Sequence, residues 1–243
     1  MSRFENAMEV LSAAEEIIAQ LDEDYKKARA AESVLHVSKT KVKSALEYIR
    51  SALEYIAQDV WASYTKKGNS VYFPYGKDEV EFLKSVKKNL PALDEQAPKL
   101  FSIIRSIQPF CCGDEWLVSV CKASNFNKHN GLSAQVRKQS KSNVININGF
   151  GTFSNCEGLI LDNCSFNGIP IAKSNRMVLS NSMPTSELQD QISEGIVLSR
   201  EFDWVEFHFE DYGVDVLLLI TKAHSAVLDL VVQVNNEING RDI

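Results

Sequence analysis

Hydrophobic residues recur every three or four positions through the first part of the chain, which is the spacing of one face of an α-helix. From Phe4 to Ala31 and from about Ser38 to Tyr64 this spacing predicts two long amphipathic helices. Shorter helices are predicted after the capping residue Asp78, from Pro98 to Ile107, and from the cap Asp114 to about His129. The first half of the chain is therefore predicted to be a helical bundle.

The second helix contains an internal repeat. The sequence from Ser44 to Ile49 recurs seven residues later, from Ser51 to Ile56. Two copies fall short of the three or four heptads that indicate a coiled coil. The repeat fits helix-on-helix packing, either in the core or at the seam of a dimer. Ser38 is the expected N-cap of this helix and Gly68 its expected stop.

After Gly131 the pattern changes to short β-type runs separated by Asn, Ser and Gly. Asn167-Gly168 predicts a hairpin turn, and a final apolar helix is predicted from about Gly213 to Asn239. The expected fold is α+β, with a helical bundle over 1–131 and, over 132–243, a small antiparallel sheet with a C-terminal helix packed on the bundle. The predicted strands are 144–147, 158–161, 169–171, 176–179, 195–198 and 204–209.

Composition narrows the class of protein. The 243 residues are 44% hydrophobic and 24% charged, which is typical of globular domains and excludes collagen-like and disordered chains. No apolar run approaches the length of about 20 residues that spans a bilayer, and no secretory signal is visible, so a cytoplasmic protein is expected. The five cysteines form no CxxC pair. No metal site and no cofactor are therefore expected.

Charge is distributed unevenly along the chain. No acidic residue lies between Glu115 and Glu157, a stretch with five basic residues, Lys122, Lys128, Arg137, Lys138 and Lys141. Local positive potential attracts anions such as phosphates, whatever the net charge of −6. This stretch indicates an anionic partner such as RNA or a nucleotide, although lysines are also common on surfaces that bind nothing.

Three polar side chains in this stretch share one helix face. Lys122, Asn125 and His129 are spaced three and four residues apart. A cation, an amide and an imidazole can together hold a phosphate or a ribose edge, and the imidazole can exchange a proton near neutral pH. Alternatively, Asn125 and His129 hydrogen-bond the neighbouring loop at the helix C-terminus.

The segment Ser124-Asn-Phe-Asn-Lys-His129 resembles the "LNxxDKHR" box of a large set of uncharacterised bacterial proteins. Those proteins also carry segments that resemble the helix Arg50–Tyr55, the strand Phe73-Pro74 and the turn Gln108-Pro109, in the same order over about residues 40–132. The box is similar as well to the RNxxxH motif of HEPN domains, which are helical modules of toxin and phage-defence ribonucleases. Laid on that motif, Asn125 and His129 take the polar and histidine positions.

The resemblance implies a HEPN-like helical scaffold, but the position of the motif arginine is Ser124 here. In HEPN chemistry, as the resemblance implies it, histidine activates the ribose 2′-hydroxyl and arginine stabilises the charge on phosphorus. Removing such a donor slows catalysis by about 10²–10³. The sequence therefore favours an accessory protein that binds RNA, a nucleotide or a protein partner without efficient catalysis, in a toxin or phage-defence setting.

Two alternatives stay open. One is a metal-independent HEPN-type ribonuclease with a dimeric active site, in which His129 and Asn125 would be catalytic. The other is a structural interaction protein that uses the heptad repeat as its seam. A homo-oligomer is expected for each of these functions, the preferred one included, and no membrane partner is expected. The residues expected to bind the ligand are Lys122, Lys128, Asn127, Arg137 and Lys138.

Overall fold

Helices and short strands occupy different parts of the chain in the computed structural model, which describes residues 3–65 and 71–240. The mixed helical and antiparallel architecture expected from the sequence is confirmed, with helices at the N-terminal side and one closing helix. The helices are α1 Phe4–Ala30, α2 Lys39–Tyr64, α3 Glu79–Asn89, α4 Leu93–Gln96, α5 Pro98–Ser106, α6 Pro109–Cys112, α7 Trp116–His129, α8 Thr185–Gln191 and α9 Val216–Asn239. The strands are β1 Gln135–Gln139, β2 Asn143–Ile147, β3 Gly151–Ser154, β4 Leu159–Asp162, β5 Ser165–Phe166, β6 Ile169–Pro170, β7 Arg176–Leu179, β8 Leu198–Phe202 and β9 Val205–Phe209.

The chain divides into two compact units that are not contiguous in sequence. Unit 1 contains the part up to Leu21, Ser38–Ala134 and the part from His208 onward, and unit 2 contains Asp22–Val37 and Gln135–Phe207. The change from unit 1 to unit 2 at Ala134 lies close to the point where the sequence pattern changes. The C-terminal helix α9 returns to unit 1, whereas the end of α1 belongs to unit 2.

Helix–helix packing forms the core of unit 1. Helix α2 packs on α7 and α9, and α9 also packs on α5 and α7. At three helix starts a side-chain oxygen accepts a hydrogen bond from a backbone N–H group of the first turn. The oxygen and the residue that donates its N–H are Ser38 Oγ and Lys41, Asp78 Oδ1 and Glu81, and Asp215 Oδ1 and Leu218. Ser38 and Asp78 are thus confirmed as caps. The predicted stop at Gly68 lies outside the described residues.

The apolar residues of the α2 repeat are core residues of unit 1. Ala45, Leu46 and Ile49 of the first copy, and Ala52 and Leu53 of the second, are all fully enclosed. Because α7 and α9 cover this side of α2, the repeat is used for packing inside the unit. Tyr48, between these positions, remains on the surface.

Small antiparallel sheets build unit 2. Strand β2 lies between β3 and β8, with Ile145 opposite Phe153 on one side and Arg200 on the other. Strand β4 pairs with β7, β5 with β6, and β1 with β9. The predicted Asn167-Gly168 turn is confirmed, since both residues have positive φ (51° and 81°) and join β5 to β6. Ile145, Ile147, Ile171, Met177, Leu179 and Leu188 form the small core.

Some predicted boundaries are wrong. Of the predicted strand over 195–198 only Leu198 lies in a strand, because Gly195 adopts a left-handed conformation (φ 84°) in a turn and the exposed Val197 belongs to no strand; β8 runs from Leu198 to Phe202. Asp114 is not the N-cap residue of α7, which is Glu115, but its carboxylate still accepts the N–H of Trp116 at 2.8 Å. Helix α8 was not expected.

Helix α9 is long and apolar enough to cross a membrane by length and composition, and within the described residues no other helix meets that test. A core helix of a folded domain meets the same test. In this structure α9 packs against α2, α5 and α7, and the imidazole of its His224 hydrogen-bonds the carbonyl of Leu11 in the same unit.

Candidate functional site

Helix α7 presents a polar, exposed face in unit 1. Lys122, Asn125 and His129 are all exposed on this helix, and we call these three residues the α7 face. Lys128 is exposed beside them. The opposite side of α7, with Leu117, Val120 and Cys121 among others, is buried. The helix thus separates a core side from a side that a ligand can reach.

Two other residues of the box point into the protein. Ser124 is fully buried, and its hydroxyl has no hydrogen-bond partner among the described residues. Asn127 is 5% exposed, and its Oδ1 accepts from both the N–H and the hydroxyl of Ser133 at 2.9 Å. Asn127 therefore fixes the turn that follows α7. Ser133 thus already occupies the amide oxygen of Asn127.

A buried ion pair lies behind the α7 face. Arg50 Nη2 contacts Glu54 Oε1 at 2.5 Å, one helical turn apart on α2, and the two side chains are only 11% and 19% exposed. Arg50 Nη1 also donates to Cys121 Sγ at 2.6 Å. Glu54 Oε2 accepts the backbone N–H of Phe73 at 2.8 Å. Both charges thus have the partners that burial requires.

Tyr75 connects this ion pair to the α7 face. The guanidinium of Arg50 lies over the Tyr75 ring, 5.3 Å from its centroid, in a cation–π arrangement. The Tyr75 side chain also lies close enough to the side chain of Asn125 for this amide to oppose the rise of the Tyr75 pKa. We call Arg50, Glu54, Tyr75 and Cys121 the Arg50 cluster. The Arg50 cluster thus lies beside one member of the α7 face.

The segment that carries Tyr75 is held in place by a buried glutamine. Gln108 is fully buried: its Oε1 accepts the N–H of Gly76 at 3.2 Å, and its Nε2 donates to the carbonyls of Pro74 and Ile104 at 3.3 and 3.1 Å. Gly76 packs so closely on α3 that a Cβ there would lie 2.3 Å from the backbone nitrogen of Phe82. The hydrogen bonds from the Gln108 side chain to the backbone on both sides of Tyr75, together with the close packing of Gly76, therefore hold the backbone of this segment in place.

Four segments that are distant in sequence meet in this way. They are the α2 segment from Arg50 to Tyr55, the extended segment around Phe73-Pro74, the turn at Gln108 and the box on α7. These are the segments whose order carries the resemblance described above. Sequence reasoning placed them in order, but it did not identify Arg50, Glu54 and Tyr75 as site residues.

Burial and charge set the ionisation of the cluster. Burial raises the pKa of Cys121 to about 11, against the opposing effect of Arg50. Burial also raises the pKa of Glu54, although Arg50, the Phe73 N–H and the charge of Lys128 act in the other direction. The pKa of Tyr75 is raised too, first by burial. The cluster therefore holds a neutral thiol and phenol around the guanidinium.

The other predicted ligand residues belong to unit 2. Arg137 on β1 is turned to the end of α1: Nη1 donates to the carbonyls of Ala31 and Val34, and Nη2 to that of Ala28. Its Nε donates to Gln139 at 2.7 Å. The nitrogens of this guanidinium are thus occupied within unit 2. Lys138, the next residue of β1, is exposed.

Lys122 also lines a cleft of about 380 Å³ within unit 1. Asp114, Trp116, Tyr212 and Lys222 also line this cleft. The ammonium group of Lys222 pairs with the carboxylate of Asp114. The α7 face therefore has a recess at its Lys122 end, although acidic and basic groups balance inside it.

Comparison with known proteins gives no relative from which a role could be taken: no family model, no curated protein and no solved structure matches the chain.

Proposed function

We propose that this protein binds a ligand with nucleotide chemistry, RNA or a free nucleotide, on the α7 face, and that it does so without efficient cleavage. The observation that carries the proposal is the exposure of Lys122, Asn125 and His129 together on one side of α7, opposite the buried side of that helix. Lys128 adds a second cation beside them. Ammonium, amide and imidazole groups are suitable donors for phosphate oxygens and ribose hydroxyls.

The enclosure of position 124 supports a binding role without efficient catalysis. In the HEPN motif this position holds the arginine, but here it is a fully buried serine. The guanidinium of Arg50 in the Arg50 cluster is committed to Glu54, Cys121 and the ring of Tyr75. Lysine does not reproduce the two-pronged donor geometry of arginine, so neither Lys122 nor Lys128 is an equivalent replacement.

His129 also lacks the support that a general base needs. In catalytic histidine sites a third group orients the imidazole through its other nitrogen. Over residues 3–65 and 71–240 no side chain or carbonyl hydrogen-bonds the His129 ring. We propose that this imidazole contributes to binding, in the toxin or phage-defence setting that the resemblance suggests.

Binding is tested by fluorescence anisotropy with labelled single-stranded hexaadenylate RNA. Lys128→Glu should weaken binding about tenfold, about 1.4 kcal/mol. It should also reduce the magnitude of the slope of log affinity against log salt concentration by about one. His129→Ala should weaken binding without changing that salt dependence at pH 8. Competition with unlabelled ATP distinguishes a free nucleotide from RNA as the preferred ligand.

The matched control is Lys87→Glu, the same charge change at an exposed position in the last turn of α3. It should leave affinity unchanged. If Lys87→Glu and Lys128→Glu weaken binding equally, only net charge matters and the α7 face is not the site. RNA cleavage by the wild type that disappears in His129→Ala would contradict the non-catalytic part of the proposal and establish the ribonuclease alternative.

A further inference from the structure

We infer that unit 2 contains a binding site for a free α-amino acid, in a cleft that both Glu32 and Arg200 line. The ligand carboxylate contacts the guanidinium of Arg200, and the ligand ammonium group contacts the carboxylate of Glu32. The site goes beyond the proposed function, because it uses no residue of the α7 face.

Arg200 is a buried charge on the core-facing side of β8. Side chains alternate along this strand, so Leu198, Arg200 and Phe202 are buried while the two residues between them are exposed. Arg200 itself is only 4% exposed. Burying a charge is unfavourable unless hydrogen bonds and a counter-charge replace the lost hydration. The guanidinium therefore needs partners that take the place of water.

The described residues supply these partners only in part. Arg200 Nη1 donates to the carbonyl of Met183 at 2.6 Å, and Nη2 donates to the carbonyl of Asn181. Its Nε is buried without a hydrogen-bond partner in the described chain. No carboxylate among the described residues forms an ion pair with Arg200, whereas the buried Arg50 is paired with Glu54. Arg200 thus has an unmet donor and no direct counter-ion.

Glu32 places a negative charge in the same cleft. Its carboxylate accepts from Gln139 Nε2 at 3.1 Å and from the backbone N–H of Thr185 at 3.0 Å. Burial acts to raise the pKa of Glu32, but the hydrogen bonds and the charge of Arg200 outweigh it and lower that pKa. Glu32 is therefore ionised at neutral pH. The two opposite charges line one cleft without forming an ion pair with each other.

The charges of the cleft favour a ligand that carries both signs. The cleft has a volume of about 480 Å³, and the exposed Lys141 and Glu157 add one charge of each sign to its lining. A simple anion meets repulsion from the two carboxylates as well as attraction to the two cations. A ligand that bridges Arg200 and Glu32 must offer an acceptor to one and a donor to the other. Asn181 Oδ1, which is buried without a partner in the described chain, is a further acceptor for an ammonium group.

The probe follows from the apolar part of the lining. Met183, Pro184 and Phe202 also line the cleft, so an amino acid with an apolar side chain is suitable. The test compares L-leucine with 4-methylpentanoate, which lacks the ammonium group, and 3-methylbutylamine, which lacks the carboxylate, by isothermal titration calorimetry. L-Leucine should bind about tenfold more tightly than either analogue, because each analogue leaves one charge of the cleft without a partner.

Glu32→Gln keeps the shape of the side chain and removes its charge. It should weaken L-leucine binding about tenfold without weakening the binding of 4-methylpentanoate, which does not use that charge. The matched control is Glu187→Gln, the same change at an exposed position of α8 outside the cleft. It should leave the binding of all three probes unchanged. Circular dichroism spectra should be the same for the wild type and both variants.

The pattern across the probes separates charge recognition from a structural defect, since a distorted cleft would lose L-leucine and 4-methylpentanoate equally. The inference is overturned if Glu32→Gln lowers both affinities together, or if Glu187→Gln weakens L-leucine binding as much as Glu32→Gln does. It is also overturned if either analogue binds as tightly as L-leucine, or if L-leucine does not bind at about 10 mM.

Discussion

At the scale of single residues, the thiol of Cys121 reports whether the Arg50 cluster is closed to water. This side chain is fully buried and accepts a hydrogen bond from Arg50, and burial raises its pKa to about 11. Only the thiolate is an effective nucleophile, so at pH 8 the native protein should leave Cys121 unmodified by iodoacetamide. The exposed Cys111 and Cys112 should be alkylated under the same conditions. Mass spectrometry of the peptides measures each site.

Labelling in denaturant provides the control, because all five cysteines should then react. Raising the pH of the native protein to 9 should still not expose Cys121, since its thiol remains protonated there and is sterically enclosed. Rapid alkylation of Cys121 in the native protein at pH 8 would contradict the closed cluster.

The residues of the α7 face could be found from the sequence because helical spacing alone places Lys122, Asn125 and His129 together. Arg50 could not be recognised as easily, although a signal exists. Arg50 directly follows the first copy of the α2 repeat, and the residue that follows the second copy is Ala57, which is fully buried. A charge at a core position of an otherwise apolar stripe indicates a buried partner. Tyr75 has no such signal, because only the folded chain brings it to Asn125.

At the scale of elements, Arg137 ties the C-terminal end of α1 to the segment that follows it, through the carbonyl of Ala28 in the last turn and those of Ala31 and Val34 beyond the helix. The last carbonyls of a helix have no partner within the helix and carry partial negative charge, so a guanidinium there is favourable. Replacing Arg137 with Met should therefore destabilise unit 2 by about 2 kcal/mol, through the loss of bonds to three carbonyls. Hydrogen exchange should accelerate in the last turn of α1, and mass spectrometry of that peptide measures it.

Lys141→Met is the matched control, since Lys141 is also a cation in unit 2 but is exposed. It should leave exchange at α1 unchanged. If Arg137→Met also leaves that exchange unchanged and instead weakens RNA binding, Arg137 is a ligand residue, as the sequence suggested, and not a structural one.

Elements with a local chemical signal were predictable, and those without one were not. Helix starts at Ser38 and Asp78 and the turn at Asn167-Gly168 follow from capping and turn chemistry that neighbouring residues determine. Strand β8 was misplaced because the apolar run Ile196–Leu198 follows directly on the left-handed Gly195, and only the last residue of the run lies in the strand. The pairing of short strands depends on partners that are far away in the chain, and a single sequence does not specify them.

At the scale of the whole molecule, the burial of the α2 repeat bears on self-association. Its apolar residues already pack inside unit 1, so α2 has little apolar surface left for a second copy. Tyr48→Lys adds a charge at the exposed edge of the repeat and should leave the oligomeric state unchanged. Light scattering across a concentration series measures the mass, and Tyr48→Phe is the neutral control. A lower mass for Tyr48→Lys alone would make the repeat a seam between copies.

The Arg50–Glu54 pair restricts how this sequence can change during evolution. Removing one partner of a buried ion pair costs about 3–5 kcal/mol, whereas replacing both by apolar residues is often neutral. Intermediates with a single charge would therefore be selected against, and the two codons should be inherited or lost together. Descendants of this chain that keep only one of the two should have rebuilt the segment around Phe73, because Glu54 also holds its backbone.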